Sequence, residues 1–596
     1  MTIDERLAAL RKAMKKYGLD AYLVPSSDPH QSEYVADHWK AREWLSGFTG
    51  SAGTLIVTEG HAGLWTDSRY FLQAERELAD SEVALHKQLV SHAPEHITWL
   101  ADTLPAGSRL GCDGFLFSLG QMRQLEKYLS PKEIAIHYDL DLVVDLWTGR
   151  PELPAAAVFE HPVRYAGKPR LEKMDLMREQ MKGYGARHYL VTTLDDIAWL
   201  LNLRGEDVPY NPLFVSYLLL QEEGAVLFVD TRKVPPPIAE KLRDDGIALR
   251  PYAAVCSFLE ELPASEPVLI DPRSISVRLY DLLSEKTVIR GHNIPRRTKA
   301  LKTATEVAHI RRAMVKDGVS LVKLYRWLEA TLEEQTVTEF EVARQLDAFR
   351  RAQGDYYGES FPAIVGYNAN GAIVHYRPDP ATSAPIRREG ILLLDSGGQY
   401  VDGTTDITRT VALGTPTDEQ RRHFTLVLKG HIALARARFP VGTTGMQLDV
   451  LARAALWEEG LNYGHGTGHG VGFFLNVHEP PQGFAASPTT SRGTTELQPG
   501  MLTSNEPGFY KDGAYGIRTE NLVLCTEGPE TDYGAFLQFE SLSLFPIDRH
   551  LIEPAMLTAP EREWLNEYHQ TVFDKLSPRL EAEEVQWLKN QCRSLD

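Results

Sequence analysis

Within residues 360–525, four of the carboxylates and several histidines stand in a pattern suited to holding divalent metal. The apolar run Ile391-Leu392-Leu393-Leu394 delivers Asp395 at its end, and a Ser-Gly-Gly turn follows. Asp402-Gly403-Thr404-Thr405 then leads to Asp406, ahead of Ile407-Thr408-Arg409. Such a pattern reads as a hairpin with Asp395 and Asp406 on adjoining strands. The stretch Gly464-His465-Gly466-Thr467-Gly468-His469-Gly470-Val471-Gly472 carries too much glycine for a helix. His465 and His469 are therefore expected on a loop or strand, where residues four apart share a face and glycine lets the backbone come close to a neighbour. Glu506 follows in Ser504-Asn505-Glu506-Pro507-Gly508, and Glu520 in Gly516-Ile517-Arg518-Thr519-Glu520-Asn521. Strand alternation would put Arg518 and Glu520 on the same side.

Each group also has an ordinary reading when taken singly: a turn aspartate, an exposed loop histidine, a plain Arg518–Glu520 salt bridge. Taken together, Asp395, Asp406, His469, Glu506 and Glu520 make four carboxylates and one imidazole. A single divalent ion would be over-neutralised by that set, whereas two ions sharing bridging carboxylates balance it. Oxygen-rich ligation with one imidazole suits a hard ion such as Mn²⁺, with Co²⁺ or Zn²⁺ also able to bind. Two ions roughly 3.5–4 Å apart can lower the pKa of a shared water towards about 7, giving a hydroxide for amide hydrolysis. The HExxH helix of other metallopeptidases is absent from the chain. His375, in Asn370-Gly371-Ala372-Ile373-Val374-His375-Tyr376, and His478, in Asn476-Val477-His478-Glu479, stand near this set. Taken alone, each is more often a satisfied structural histidine; beside a metal-bound hydroxide, either could donate to a developing oxyanion or the scissile nitrogen.

The elements that must position these groups are legible in outline. A helix is expected with Val307, Ile310, Met314, Leu321, Leu324 and Leu328 on one stripe, and another after the capping box Thr338-x-x-Glu341. Short strands and glycine turns follow from about residue 360, and helix returns from Pro560. A Ser/Thr-rich segment, 487–495, reads as a surface loop. The N-terminal half repeats itself. Leu7, Leu10, Met14, Tyr17-Gly18, Tyr22-Leu23-Val24 and Asp28 recur 167 residues later as Met174, Met177, Met181, Tyr184-Gly185, Tyr189-Leu190-Val191 and Asp195. Each copy predicts an amphipathic helix, a glycine stop and a buried strand. Proline- and glycine-rich joints near residues 150 and 291–295 suggest a division into 1–150, 151–298 and 299–596. The glycine-rich Gly47-Phe48-Thr49-Gly50-Ser51-Ala52-Gly53 precedes an apolar strand rather than a helix, so it is no phosphate cradle.

Composition narrows the classes. The 596 residues, 43% hydrophobic and 24% charged, are too many for one core. A net charge of −18 with no long basic run disfavours nucleic acid. The four cysteines, Cys112, Cys256, Cys525 and Cys592, are scattered, which fits a reducing compartment. No run approaches a membrane span, and early Asp4 and Glu5 without an apolar segment argue against a signal peptide.

The Asp395-Ser-Gly-Gly…Asp402-Gly-Thr-Thr-Asp406-Ile-Thr-Arg run, the GHGTGHGVG loop, Asn505-Glu506-Pro507-Gly508 and Gly516-Ile517-Arg518-Thr519-Glu520-Asn521 resemble the pita-bread metallopeptidases. Over its whole length the chain is similar to the long, three-domain Xaa-Pro aminopeptidase (aminopeptidase P) branch. Ala198-Trp199-Leu200-Leu201-Asn202-Leu203-Arg204-Gly205 and the tail segments Pro578-Arg579-Leu580 and Val585-Gln586-Trp587-Leu588 extend the likeness. The resemblance implies an α/β multi-domain protein: two creatinase-like N-terminal α/β domains, then a pita-bread α+β catalytic domain. It implies hydrolysis of the first peptide bond when proline is second, by a hydroxide bridging two divalent metals, usually Mn²⁺. Asp395 would chelate one ion, Asp406 and Glu520 would bridge, and His469 and Glu506 would complete the other. His375 would stabilise the tetrahedral intermediate, His478 would hold substrate near the scissile bond, and His465 would line the site. Glu506 would pass a proton to the leaving nitrogen, and Arg518 would brace Glu520. A cytoplasmic homodimer acting on peptides is implied, with no nucleic-acid or membrane partner. Prolidase shares the ligands but cleaves dipeptides only, and creatinase-like hydrolysis does not need the full metal set. A non-catalytic binding module of this fold would generally have lost ligands that this chain keeps.

Overall fold

The computed structural model describes residues 1–89, 93–488 and 491–595. The chain forms two compact units, one of residues 1–163 and 168–295, the other of 164–167 and 296–596.

In the first unit the sequence repeat becomes a repeat of topology. Helix Ile3–Tyr17 buries Leu7, Leu10 and Met14 and ends on Gly18 at φ 65°. Helix Arg170–Tyr184 buries Met174, Met177 and Met181 and ends on Gly185 at φ 71°. Glycine adopts this left-handed cap without the Cβ penalty. Each helix is followed by a fully buried central strand, Ala21–Pro25 and His188–Val191. Each of these strands lies fourth in a six-stranded sheet. In both sheets two antiparallel pairings and then a parallel edge strand lie on one side of that strand, and parallel strands lie on the other. The glycine-rich 47–53 segment leads into strand Thr54–Thr58.

The second unit contains the long helix Ala304–Glu334, whose buried stripe includes Val307, Ile310, Met314, Leu321, Leu324 and Leu328. Helix Glu339–Arg351 follows on the Thr338/Glu341 capping box. These helices, together with Asp418–Ala435 and Ala559–Leu576, share one core with the strands around Leu392, Leu394, Leu502, Leu522 and Leu524. The strands that matter for chemistry are Ile391–Ser396, paired antiparallel to Ile364–Tyr367 and Ile407–Ala412, and Leu502–Asn505, paired antiparallel to Asn521–Thr531.

Two local expectations change. Arg518 ends the strand Tyr515–Arg518, and Glu520 sits in a break before Asn521–Thr531. The break arises because the Glu520 amide donates to the Thr408 carbonyl, 3.1 Å away. In the stretch 487–495 a short helix, Ser491–Thr494, replaces the expected loop, and Gly493 is buried in it. Thr489 and Thr490 lie outside the described residues.

Candidate metal centre

Strand pairing brings the four carboxylates together from distant parts of the chain. Asp395 is opposite Thr408, so Asp406 lies just beyond the end of the same pairing. Asn505 is opposite Asn521, so Glu506 and Glu520 lie beyond the same end of theirs. The two pairs are tied together by the Glu520 amide on the Thr408 carbonyl and by the Thr408 hydroxyl, which donates to Glu520 Oε2 at 2.7 Å. The Glu506 amide donates to the Thr467 carbonyl at 2.8 Å, which fixes the histidine loop to this edge. Glycine is needed there: a Cβ on Gly468 would stand 1.9 Å from the Ser504 carbonyl oxygen.

His469 points its lone pair into the cluster. Its Nδ1 lies 3.0 Å from the Gly470 carbonyl, which can only accept, so the proton is on Nδ1 and Nε2 is bare. Nε2 faces Asp406 Oδ2 at 3.5 Å and Glu506 Oε1 at 3.4 Å. Asp406, His469 and Glu520 each offer one atom within 4.8 Å of the others. Asp395 Oδ1 and Glu520 Oε1 are buried without a hydrogen-bond donor. Buried polar atoms are normally satisfied, so two orphan carboxylate oxygens in a cluster that also holds a bare imidazole fit cation ligands.

The charges agree. Burial, then the neighbouring Glu520, Asp395 and Glu506, hold the Asp406 carboxyl well above the usual carboxylate range. Burial and the charges of Asp395 and Glu506 do the same to Glu520. Burial pushes Glu506 up to about 7, against the pull of Arg518. Burial, with His478 and Arg492 nearby, draws His469 well below the ordinary imidazole value. Anionic ligands crowded into a desolvated pocket with a neutral imidazole are in want of positive charge, and divalent ions supply it. The donor set therefore fits two metal ions.

Arg518 is the guanidinium built into this cluster, and its place differs from the expectation. Its Nη2 pairs with Asp395 Oδ2 at 2.5 Å, not with Glu520. It reaches Glu520 only through the Thr408 hydroxyl, to which Nε donates at 3.2 Å. Nη1 donates to the Tyr510 hydroxyl at 2.7 Å, which in turn bonds His465 Nε2 at 2.8 Å. His465 is thus half-buried and connected to Asp395 through two side chains. The His478 ring stands edge-on to His469, with centroids 4.3 Å apart at 90°. His375 is half-buried in the turn after the segment Asn368–Ala372, and the carbonyl of Val374 beside it lies 3.5 Å from Arg518 Nη2. The segment Asn368–Ala372, which leads into that turn, packs on the Arg518 strand because Gly516 has no side chain: a Cβ there would stand 1.7 Å from the Gly371 carbonyl oxygen.

The spacing of single residues did not reveal Thr408, Ser504, Tyr510 or Arg453. Ser504 Oγ donates to Glu506 Oε1 at 3.1 Å and accepts from the His469 amide at 2.9 Å. Arg453, buried on helix Gly445–Trp457, donates to the carbonyls of Tyr463 and His465 and pairs with Asp449. Thr408 had a signal, being two residues from Asp406 on an alternating strand. The others are brought in by tertiary packing.

Comparison with known proteins agrees with this geometry. Residues 296–527 match the model of metallopeptidase family M24. Residues 6–141 and 149–306 each match a creatinase/prolidase N-terminal domain, and 535–595 match the C-terminal region of peptidase M24. A probable Xaa-Pro aminopeptidase P of Laccaria bicolor is 41% identical over 99% of this chain and 93% of its own. The chain belongs to metallopeptidase family M24. Aminopeptidase P2 of Arabidopsis thaliana is 39% identical over 100% of this chain and 89% of its own. The X-prolyl aminopeptidase of Caenorhabditis elegans, described as a cytosolic enzyme with a di-nuclear active site, superposes with a TM-score of 0.95 at 35% identity, covering 100% of both chains. The M24 chain described here therefore has two creatinase-type N-terminal domains followed by the catalytic domain of its family.

Proposed function

We propose that the protein is a two-metal aminopeptidase that releases the first residue of peptides with proline in second place. The observation that carries this reading is the full-length likeness, at 35–41% identity, to enzymes described as Xaa-Pro aminopeptidases, one of them with a di-nuclear site. The same full-length coverage favours this reading over a prolidase. The reading divides the chain at about residues 150 and 298 into two creatinase-like domains and a catalytic domain of 299–596.

Asp395, Asp406, His469, Glu506 and Glu520 would hold the two ions, Asp406 and Glu520 serving both, and Mn²⁺ is the ion best matched to this oxygen-rich set. The bound ions supply Lewis acidity and deprotonated water at neutral pH. The chain's own residues do the rest. His375 donates to the carbonyl oxygen as it gains charge. His478 and His465 hold the peptide, and His478 keeps the scissile bond beside His469. Glu506 takes the proton released by the attacking water and hands it to the proline nitrogen as the C–N bond breaks. Arg518 orients Asp395 through the Nη2 contact, and the Thr408 hydroxyl orients Glu520. The enzyme works in the cytoplasm as a homodimer. Its C. elegans relative is described as cytosolic, and no described helix is long and apolar enough to cross a membrane. Sedimentation of the purified protein tests the dimer.

The decisive experiment incubates the protein and Mn²⁺ with an Xaa-Pro-Yaa tripeptide, an Xaa-Pro dipeptide and an Xaa-Ala-Yaa control. Release of the first residue from the proline tripeptide, far ahead of the other two, is expected. Release mainly from the dipeptide would make the protein a prolidase. No release with Mn²⁺, Co²⁺ or Zn²⁺ would leave a binding module.

A further inference from the structure

Glu506 and Glu520 leave the ends of two paired strands, and a ligand pair placed this way needs something to keep those ends in register. Behind them lies helix Asp418–Ala435, whose His431 is fully buried. His431 Nδ1 is 3.1 Å from the carbonyl of Asn505, the residue before Glu506. Asn505 returns the contact, its Nδ2 donating to the His431 carbonyl at 2.9 Å. His431 Nε2 is 3.3 Å from Nδ2 of Asn521, the residue after Glu520, and the carbonyl of Thr519, the residue before Glu520, also faces the ring.

The Asn505 and Asn521 contacts agree with one tautomer. A carbonyl only accepts, so the Asn505 contact puts the proton on Nδ1. Burial, reinforced by the charge of Arg409, draws the imidazole down to about 3, so the ring is neutral and Nε2 is bare. Nε2 therefore accepts from Asn521 Nδ2. The Asn521 amide is oriented for this because its Oδ1 accepts from Arg409 Nη2 at 2.8 Å. Arg409 Nη1 also donates to the Glu520 carbonyl at 2.6 Å. One imidazole thus bonds to the neighbours of both carboxylates, and those neighbours are opposite each other in the strand pairing.

We infer that His431 is a positioning residue that locks Glu506 and Glu520 into a fixed mutual geometry for the ions. The inference rests on the two-metal reading above. A histidine that merely filled the core would be replaceable by an apolar residue with no effect beyond stability. His431 is not, because its bonds orient ligands, and loss of such supports lowers metal affinity or activity by roughly 10–100-fold.

The test titrates Mn²⁺ into chelator-treated, full-length wild type, His431→Leu and His431→Gln, followed by electron paramagnetic resonance, with kcat and KM measured at saturating Mn²⁺. Leucine removes both bonds, while glutamine retains a donor and an acceptor. The leucine variant is expected to bind Mn²⁺ roughly 10–100-fold more weakly, with kcat lowered and KM held within about 3-fold, while glutamine recovers most of the affinity. A folded leucine variant with wild-type affinity and kcat would overturn the inference. So would a glutamine variant as impaired as leucine, since packing and not hydrogen bonding would then be at issue. If the leucine variant does not fold, Asn521→Ser removes the Nε2 partner, together with the oxygen that accepts from Arg409 and Tyr568, while leaving His431 in place. The same affinity loss is expected there, and unchanged affinity overturns the inference. Wild type that binds Mn²⁺ but does not cleave Xaa-Pro peptides would sink the substrate assignment and leave the positioning role standing.

Discussion

Replacing Glu506 by glutamine should stabilise the protein without metal and destabilise it with metal. In the unfolded chain this carboxyl ionises near its ordinary value of 4.5, whereas in the metal-free fold burial holds it protonated up to about 7. Its folded value lies above the unfolded one. Its contribution is therefore fully present below pH 4.5, is lost as pH rises through 7, and stays constant beyond. At about 1.4 kcal/mol for each pH decade between the two values, the loss comes to about 3 kcal/mol. Glutamine is neutral and nearly the same shape, and its oxygen can still accept from Ser504 Oγ. At pH 8.5 and in chelator the variant should therefore be about 3 kcal/mol more stable than wild type. For the 164–167 and 296–596 unit, of roughly 300 residues, that is a rise of roughly 5 °C in melting midpoint. At pH 4 the two should melt together. Excess Mn²⁺ should invert the order, because glutamine is a poor ligand and the ion stabilises only the state that binds it. Calorimetry at the two pH values, with and without Mn²⁺, reads all four cases. A metal-free variant that melts at or below wild type at pH 8.5 would refute the claim that these carboxylates are crowded in want of cations.

Asp406→Asn should abolish turnover and lower bound metal, as read by elemental analysis, with the circular dichroism spectrum preserved. Wild-type activity would mean that Asp406 bridges nothing. His375→Ala should lower kcat by roughly 10²–10³-fold while metal content stays at the wild-type level, the cost of removing one oxyanion donor. Loss of metal instead would make His375 a ligand. Gly516→Ala forces the Gly371 carbonyl away from a position 1.7 Å from the new methyl. The variant should lose at least about 1–3 kcal/mol of stability, and kcat should fall with it as the His375 turn shifts. An unchanged melting midpoint would show that the two segments separate freely.

The sequence by itself determined the elements and the ligand types. Leu7, Leu10 and Met14, recurring as Met174, Met177 and Met181, announced two helices of one design, because apolar spacing is a local property that burial then uses. The glycines of 464–472 excluded helix, and the carboxylates with His469 declared a cation site, because such a charge set has few other stable uses. Register and partnership were decided only in three dimensions. Alternation put Arg518 beside Glu520, but the Glu520 amide bonds Thr408, the strand breaks, and Arg518 turns to Asp395 and Tyr510. His431 stood in an unremarked helix, 74 residues from the Asn505 carbonyl that it bonds. No local pattern records such a pairing. A hydrogen bond depends on where two backbones meet, and that is settled by how strands pair and helices pack, not by the spacing of residues along either one.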